Sequence, residues 1–243
     1  MRTHRYLLRA VIEFTTPFLI ASGRGERIAD AEFVADANGL PMIPGSSIAG
    51  VLRSMMQDED EAEKIFGYQR GSDGSGSLLS VSCGFIHNSS DKPTDGIVPS
   101  EALCDEVLTT AMTPVLRDHV SINHKGAADN RVKFDEYAGC AGQRFTFELE
   151  IAGGKEDRRL WDKVIKLITT NPLKFGGRTR QGYGACKLIS LRERIFDLSD
   201  TKDFEDYLKY PVKLSEKENI LKESALPASE GLHNMTIIHL EAE

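Results

Sequence analysis

No apolar run in the 243-residue chain approaches the roughly 20 residues a membrane-spanning helix needs. Met1-Arg2-Thr3-His4-Arg5 leads straight into an alternating strand pattern, with no apolar core of a signal peptide, so a cytoplasmic location and no membrane partner are expected. The four cysteines, Cys83, Cys104, Cys140 and Cys186, contain no C-x-x-C pair. Neither a zinc knuckle nor a redox motif is indicated, and reduced thiols are expected. Cys83 and His87 have a metal-compatible spacing but lack a paired second half. No sequence unit repeats closely. An overall basic charge is missing as well: the net charge of −7 excludes a protein wrapped on all sides in nucleic acid. The acids are uneven, however. They crowd Asp58-Glu59-Asp60-Glu61 and the segment after Arg194, whereas Leu173 to Lys187 holds Lys174, Arg178, Arg180 and Lys187 with no acid. A local basic strip survives the global sign.

The apolar content of 40% is enough for one elaborated domain or two closely packed small ones. Tyr6, Leu8, Ala10, Ile12 and Phe14 alternate with Leu7, Arg9, Val11 and Glu13, the period of a strand with one buried face. Thr15 to Gly39 reads as an exposed loop or hairpin, with Phe33-Val34 a short strand before the Asn38-Gly39 turn. Pro44-Gly45 makes a turn, Ser46 or Ser47 supplies an N-cap oxygen, and the next helix turns Ile48, Val51, Leu52, Met55 and Met56 inward. Glu59 to Phe66 is a short acidic helix. Gly71 to Ser77 reads as a mobile loop, Leu78 to Ile86 as a strand, Pro99 to Leu116 as mainly helical, Arg117 to Gly126 as a short strand and turn, and Ala127 to Gly142 as irregular. Phe145, Phe147, Leu149 and Ile151 form a second clear strand. An amphipathic helix over Asp157 to Thr170 precedes a glycine-rich loop, a last strand over Ala185 to Leu191, and a helix around Lys202 to Leu208. The order is a βαββαβ skeleton with insertions: an α+β fold whose four-stranded antiparallel sheet is backed by two helices, as in ferredoxin-like RNA-recognition modules.

Three stretches and two separate histidines carry candidate chemistry. The first turn of the helix after Pro44-Gly45 offers unpaired amides, with Ser46, Gly50 and Arg53 on one face; it is either an ordinary capped helix or a phosphate site. Phe175-Gly176-Gly177-Arg178-Thr179-Arg180-Gln181-Gly182-Tyr183-Gly184 allows close backbone approach to a polyanion with two guanidinium clamps; the alternative is a flexible connection. It is not a Walker A loop, since a helix precedes it and a strand comes after. Asp30, Glu32 and Asp36 either position a divalent metal or are simply solvated. His119 and His124 are candidate acids or bases with no partner visible in the sequence.

The run from Asp30 through Asn38-Gly39-Leu40-Pro41-Met42-Ile43-Pro44-Gly45-Ser46-Ser47-Ile48-Ala49-Gly50-Val51-Leu52-Arg53, joined to the glycine loop over Phe175 to Gly184, resembles the RAMP superfamily. Within it the likeness is to the repeated backbone subunit of type III CRISPR effector complexes, which serve antiviral defence. The resemblance implies a single domain over residues 1–243, a modified RNA-recognition fold with a palm, an acidic catalytic loop near 15–45 and an insertion at 67–142 that includes a thumb hairpin. It implies copies stacked along a guide RNA, with guide RNA, target RNA, further copies of the chain and other CRISPR effector subunits as partners. It implies RNA contacts from Ser46, Ser47, Gly50, Arg53, His119, Lys125, Arg131, Gly177, Arg178, Arg180 and Tyr183. Asp30 takes the position of the cleaving residue, acting with Mg2+ or Mn2+ held between it and an RNA phosphate. A ribose 2′-hydroxyl then attacks the adjacent phosphate, leaving a cyclic phosphate and a 5′-hydroxyl. The same superfamily also contains non-catalytic RNA-binding scaffolds and stand-alone endoribonucleases that process guide RNA, the latter role pointing to His119 or His124. This loop reads Ala29-Asp30-Ala31-Glu32 where relatives often have Asn-Pro after the Asp, and Ala49 stands where many carry Lys.

Overall fold

The structure is a computed structural model that describes residues 2–21, 33–113, 115–122 and 128–224, without the side chains of 117–122 and 128–136. Its elements in chain order are β1 (His4–Phe14), β2 (Met42–Ile43), α1 (Gly45–Ser54), α2 (Glu59–Phe66), β3 (Tyr68–Arg70), β4 (Asp73–Ser75), β5 (Leu79–Val81) and β6 (Gly84–Ile86). Next come α3 (Glu106–Ala111), β7 (Val115–Ile122), β8 (Ala128–Ala138), β9 (Arg144–Gly153), α4 (Arg158–Thr170), β10 (Leu173–Lys174), β11 (Ala185–Asp197), α5 (Thr201–Leu208) and β12 (Lys222–Glu223).

One antiparallel sheet runs β10-β11-β1-β9-β6-β2, with β5 also on β9 and β12 also on β11. With β5 and β6 taken as one interrupted strand, strand, helix, strand, strand, helix, strand lie in the spatial order last, first, third, second. The expected α+β class and antiparallel sheet are both present. The alternation of β1 decides how the layers pack. Its even residues Tyr6, Leu8, Ala10, Ile12 and Phe14 join Phe145, Phe147, Leu149 and Ile151 of β9 in one core with Ile48 and Leu52 of α1 and Trp161, Val164 and Ile168 of α4. Each fully buried large apolar side chain contributes about 1.5–3 kcal/mol.

The odd residues face the other way, onto a strap formed by α5 and residues 209–224. Leu7, Phe196 and Leu221 make a small second core there, with Tyr207 and Tyr210 packed on it. Arginines surround it. Arg9 Nη2 lies 2.6 Å from Glu148 Oε1 and Arg5 Nε 3.3 Å from Glu150 Oε1. Arg192 reaches the buried Glu218 of the strap at 2.5 Å, and Arg194 reaches Asp203 and Asp206 at 2.8 and 2.7 Å.

Several elements differ from expectation. Gly71 to Ser77 is not a loose tip: β3 and β4 pair there, with Arg70 opposite Asp73 across a tight turn, and Gly71 takes φ of 61°. Leu78 to Ile86 is broken at Ser82-Cys83, where α1 begins; a Cβ on Gly45 would lie 2.4 Å from the Val81 carbonyl. The helical reading of Pro99 to Leu116 shrinks to a 3-10 turn over Ser100–Cys104 and α3, with β7 already under way at Val115. Ala127 to Gly142, read as irregular, contains β8, whose pairing with β7 rests on backbone bonds that its polar composition does not announce. The last strand runs on to Asp197, because its charged residues from Arg192 onward find partners on the strap.

Candidate nucleic-acid interface

Residues 17–21, directly after β1, join the stretches that the sequence singled out. Four successive carbonyls are used alternately, as extended backbone requires. Pro17 O accepts from Gly184 N at 2.7 Å and Leu19 O from Gly177 N at 2.8 Å, both in the glycine loop. On the other side, Phe18 exchanges bonds of 3.2 and 2.9 Å with Gly139, at the base of the β7–β8 hairpin, and Ile20 O accepts from Val34 N at 2.9 Å. Ala21 then bridges Phe33, so the two ends of stretch 22–32 meet at this same place. The Phe18 ring fixes the segment to the core, stacked 3.9 Å from Phe14 and edge-on to Phe33 at 5.6 Å.

The glycine loop is a built structure rather than a slack connection. Phe175 is fully buried and its N–H bonds Gly184 O at 2.9 Å, closing the loop. Two glycines are obligatory by both angle and space. Gly176 has φ of 92° and a Cβ there would meet Leu19 O at 2.2 Å, while Gly184 has φ of 74° and a Cβ would meet the Phe175 carbonyl at 2.1 Å. Arg178 takes the left-handed conformation at φ 56°, and its Nη1 donates to Gln181 Oε1 at 2.9 Å. Gly177 and Arg180 are exposed, and Tyr183 is half-buried beside them.

The α1 end differs from expectation. Neither serine caps it: Pro44 is the N-cap, there is no side-chain cap hydrogen bond among the described residues, and Pro44 O accepts from Ser47 N at 2.9 Å and Ile48 N at 3.2 Å. Ser46 and Gly50 are exposed, with open space over Gly50. Arg53 is committed to its own chain, donating to Gly67 O at 2.6 Å and to Glu59 Oε1 at 3.2 Å, so it ties the two ends of α2 to α1. The strands carrying the glycine loop and the α1 turn, β11 and β2, lie four steps apart in the sheet, about 19 Å. They are two separate contact points rather than one cluster.

Asp30 and Lys125 lie outside the described residues, as do Glu32 and His124. His119 sits in β7 opposite Phe134, and Arg131 lies in β8 where the hairpin register shifts; their side chains lie outside the described set. Asp36 is taken up by its turn, with Oδ1 accepting from Asn38 N and Leu40 N at 2.9 Å each and Oδ2 accepting from Asn38 Nδ2 at 2.9 Å. His87 is buried, with Nδ1 2.8 Å from Asp91 and Nε2 2.5 Å from Thr146 Oγ1, which commits both ring nitrogens and leaves neither for a metal. Burial pushes its pKa below the usual histidine range, partly offset by Asp91. Lys187, at the end of the basic strip, meets Glu13 Oε1 at 2.7 Å; that hydrogen bond, together with Arg144, holds the Glu13 carboxyl below its ordinary value. Lys174, Arg180 and Lys187 of the strip are exposed, with Lys187 paired to Glu13. Sequence reasoning passed over residues 17–21. The signal was Phe18-Leu19-Ile20, three apolar residues inside a stretch read as solvated.

An antiparallel α+β domain that gathers a rigid glycine loop, a hairpin base and the root of an acidic stretch on one segment is the class defined here. The sequence model of the RAMP superfamily matches residues 11–187, and the chain belongs to that superfamily. No curated protein matches it. Chains of the type III-B Cmr-beta cryo-EM structures share its fold. In the apo state the match is 13% identical with a TM-score of 0.57, and bound to cognate target RNA 13% with 0.59; each covers 75% of this chain and 96% of the other.

Proposed function

We propose that the chain is a guide-RNA-binding backbone subunit of a type III CRISPR effector complex, stacking with further copies along the guide and cleaving target RNA at regular intervals. Membership of the superfamily supports the class, and the likeness to Cmr-beta chains agrees with it in fold. The observation that carries the reading is the junction at residues 17–21, where the glycine loop and the base of the β7–β8 hairpin hang from alternate carbonyls of one segment. On this reading the exposed Gly177 and Arg180, with Arg178 and Tyr183, hold guide phosphates, and Ser46, Ser47 and Gly50 offer a second contact at the N-terminal end of α1. The β7–β8 hairpin is the thumb, and His119, Lys125 and Arg131 belong to it. Arg53 acts by bracing α2 against α1 rather than as a phosphate ligand.

Asp30 is assigned to cleavage, with a divalent Mg2+ or Mn2+ ion between it and an RNA phosphate. The described residues on either side of its stretch, Ala21 and Phe33, bridge each other one residue from the carbonyl of Ile20, which supports a place for Asp30 near the glycine loop and the hairpin base. In the assembled complex, Asp30→Ala is expected to abolish target cleavage while leaving assembly intact. Cleavage retained in that variant would show a scaffold without nuclease activity. Purified chain that cuts precursor RNA alone in EDTA would favour a stand-alone processing enzyme.

A further inference from the structure

The strap-covered face of the sheet has the make-up of a nucleic-acid surface. Single-stranded RNA is held on sheets by aromatic rings that stack bases and by cations that take phosphates. Here one side of β1 and β11 presents Phe196 near the strand ends together with Arg5, Arg9, Arg192 and Arg194, since Arg5 pairs with Phe196, Leu7 with Arg194 and Arg9 with Arg192. The strap matches this surface group for group. Tyr207 lies edge-on to Phe196 with centroids 5.4 Å apart, and Tyr210 lies under the Arg9 guanidinium at 5.6 Å. Asp203 and Asp206 hold Arg194 at 2.8 and 2.7 Å, and Glu218 holds Arg192 at 2.5 Å. Rings stand where bases would stack and carboxylates where phosphates would sit.

We propose that this face is a second, latent site for single-stranded RNA, masked by residues 201–224 acting as an internal mimic of the ligand. The proposal rests on the RNA-binding reading above but not on its glycine loop. The latch is three carboxylates, and the two arginines they hold, Arg192 and Arg194, have no other ion-pair partner among the described residues. The sheet's own Glu148 and Glu150 stay paired with Arg9 and Arg5 and keep the apparent charge of the face modest.

The test is a full-length chain with Asp203→Asn, Asp206→Asn and Glu218→Gln, made in an Arg180→Glu background so that the glycine-loop contact is already weakened. Binding of a short polyuridine RNA is read by fluorescence anisotropy across a salt series. The latch variant is expected to bind about tenfold tighter than its Arg180→Glu parent, with the slope against log salt steeper by about 1.4, the value for two phosphates on a single strand. A control with Asp60→Asn, Glu101→Gln and Glu106→Gln makes the same charge change at exposed positions away from the strap and is expected to leave both quantities near the parent's. Equal gains in latch and control variants, or no gain in either, overturn the proposal. Loss of binding on Arg180→Glu alone speaks only to the glycine loop, which keeps the two readings separable. A second measurement needs no latch variant. In the unmutated chain, a large excess of the same RNA is expected to speed amide hydrogen exchange across residues 201–224 while α4 stays protected. Unchanged exchange in the strap overturns the proposal even where the triple variant does not fold.

Discussion

Along β1 the even residues from Tyr6 to Phe14 meet α1 and α4 through hydrocarbon, whereas Arg5 and Arg9 on the opposite face meet carboxylates, a backbone carbonyl and tyrosine rings. The first face is held by non-directional burial and tolerates adjustment. The second depends on partners placed one by one. Arg9 donates to Glu148 and to Leu214 O at 3.2 Å, and the Tyr210 hydroxyl donates to Glu148. Burial pushes the Glu148 carboxyl up, and Arg9 pulls it back towards ionisation. One sheet thus has a permanent side and a side closed by exchangeable polar contacts, and it is the second kind that a ligand of matching chemistry can replace.

The largest expected effect lies on the apolar side. Phe147→Ala, in the middle of β9 and fully buried, is expected to cost about 3–5 kcal/mol in denaturant unfolding. On the strap side the effect depends on whether one partner or both are changed. Arg9→Met alone leaves Glu148 without its ion pair and is expected to cost about 3 kcal/mol, whereas adding Glu148→Leu should recover most of that loss. If the double variant is as unstable as the single, the strap face is held by packing and the contrast between the two faces fails.

Gly184→Ala is expected to cost about 1–3 kcal/mol, since its positive φ and the Phe175 carbonyl both exclude a side chain. It should also weaken RNA binding more than Gly182→Ala, which has a positive φ but open space around it. The smallest effect separates thiols. Cys186, opposite Phe14 on the apolar side, has its pKa pushed by burial from 9.0 up to about 12, whereas Cys104 is exposed. At pH 8, iodoacetamide should label Cys104 in the folded chain and Cys186 only after unfolding. A thiol that keeps its proton longer when folded stabilises fully below its unfolded value. Its contribution should therefore decline as pH rises from 9.0 towards 12.

The apolar face was legible in the sequence because period-two alternation in β1 and β9 and helical spacing in α4 each point to a single buried side. The glycine loop was legible as a phosphate-holding candidate for the same kind of reason, since Gly176 and Gly184 mark places where no side chain fits. The strap was not. The segment after Arg194 carries many charges, and alternation cannot tell a solvated charge from one whose partner lies far away in sequence, as Arg192 and Glu218 do. The N-cap was missed for a local reason: Pro44 presets the first turn, and neither Ser46 nor Ser47 turns its hydroxyl back to it. Arg53 matched a phosphate site in spacing, yet the Gly67 carbonyl, fourteen residues away, is the group it holds.

The most direct test of the central claim is the amount of RNA that co-purifies with the full chain and with its Arg180→Glu variant. Arg180 is exposed on the glycine loop, so the fold should survive the change. The account predicts RNA of discrete length with the unmutated chain and its loss in the variant; equal RNA in both would contradict it.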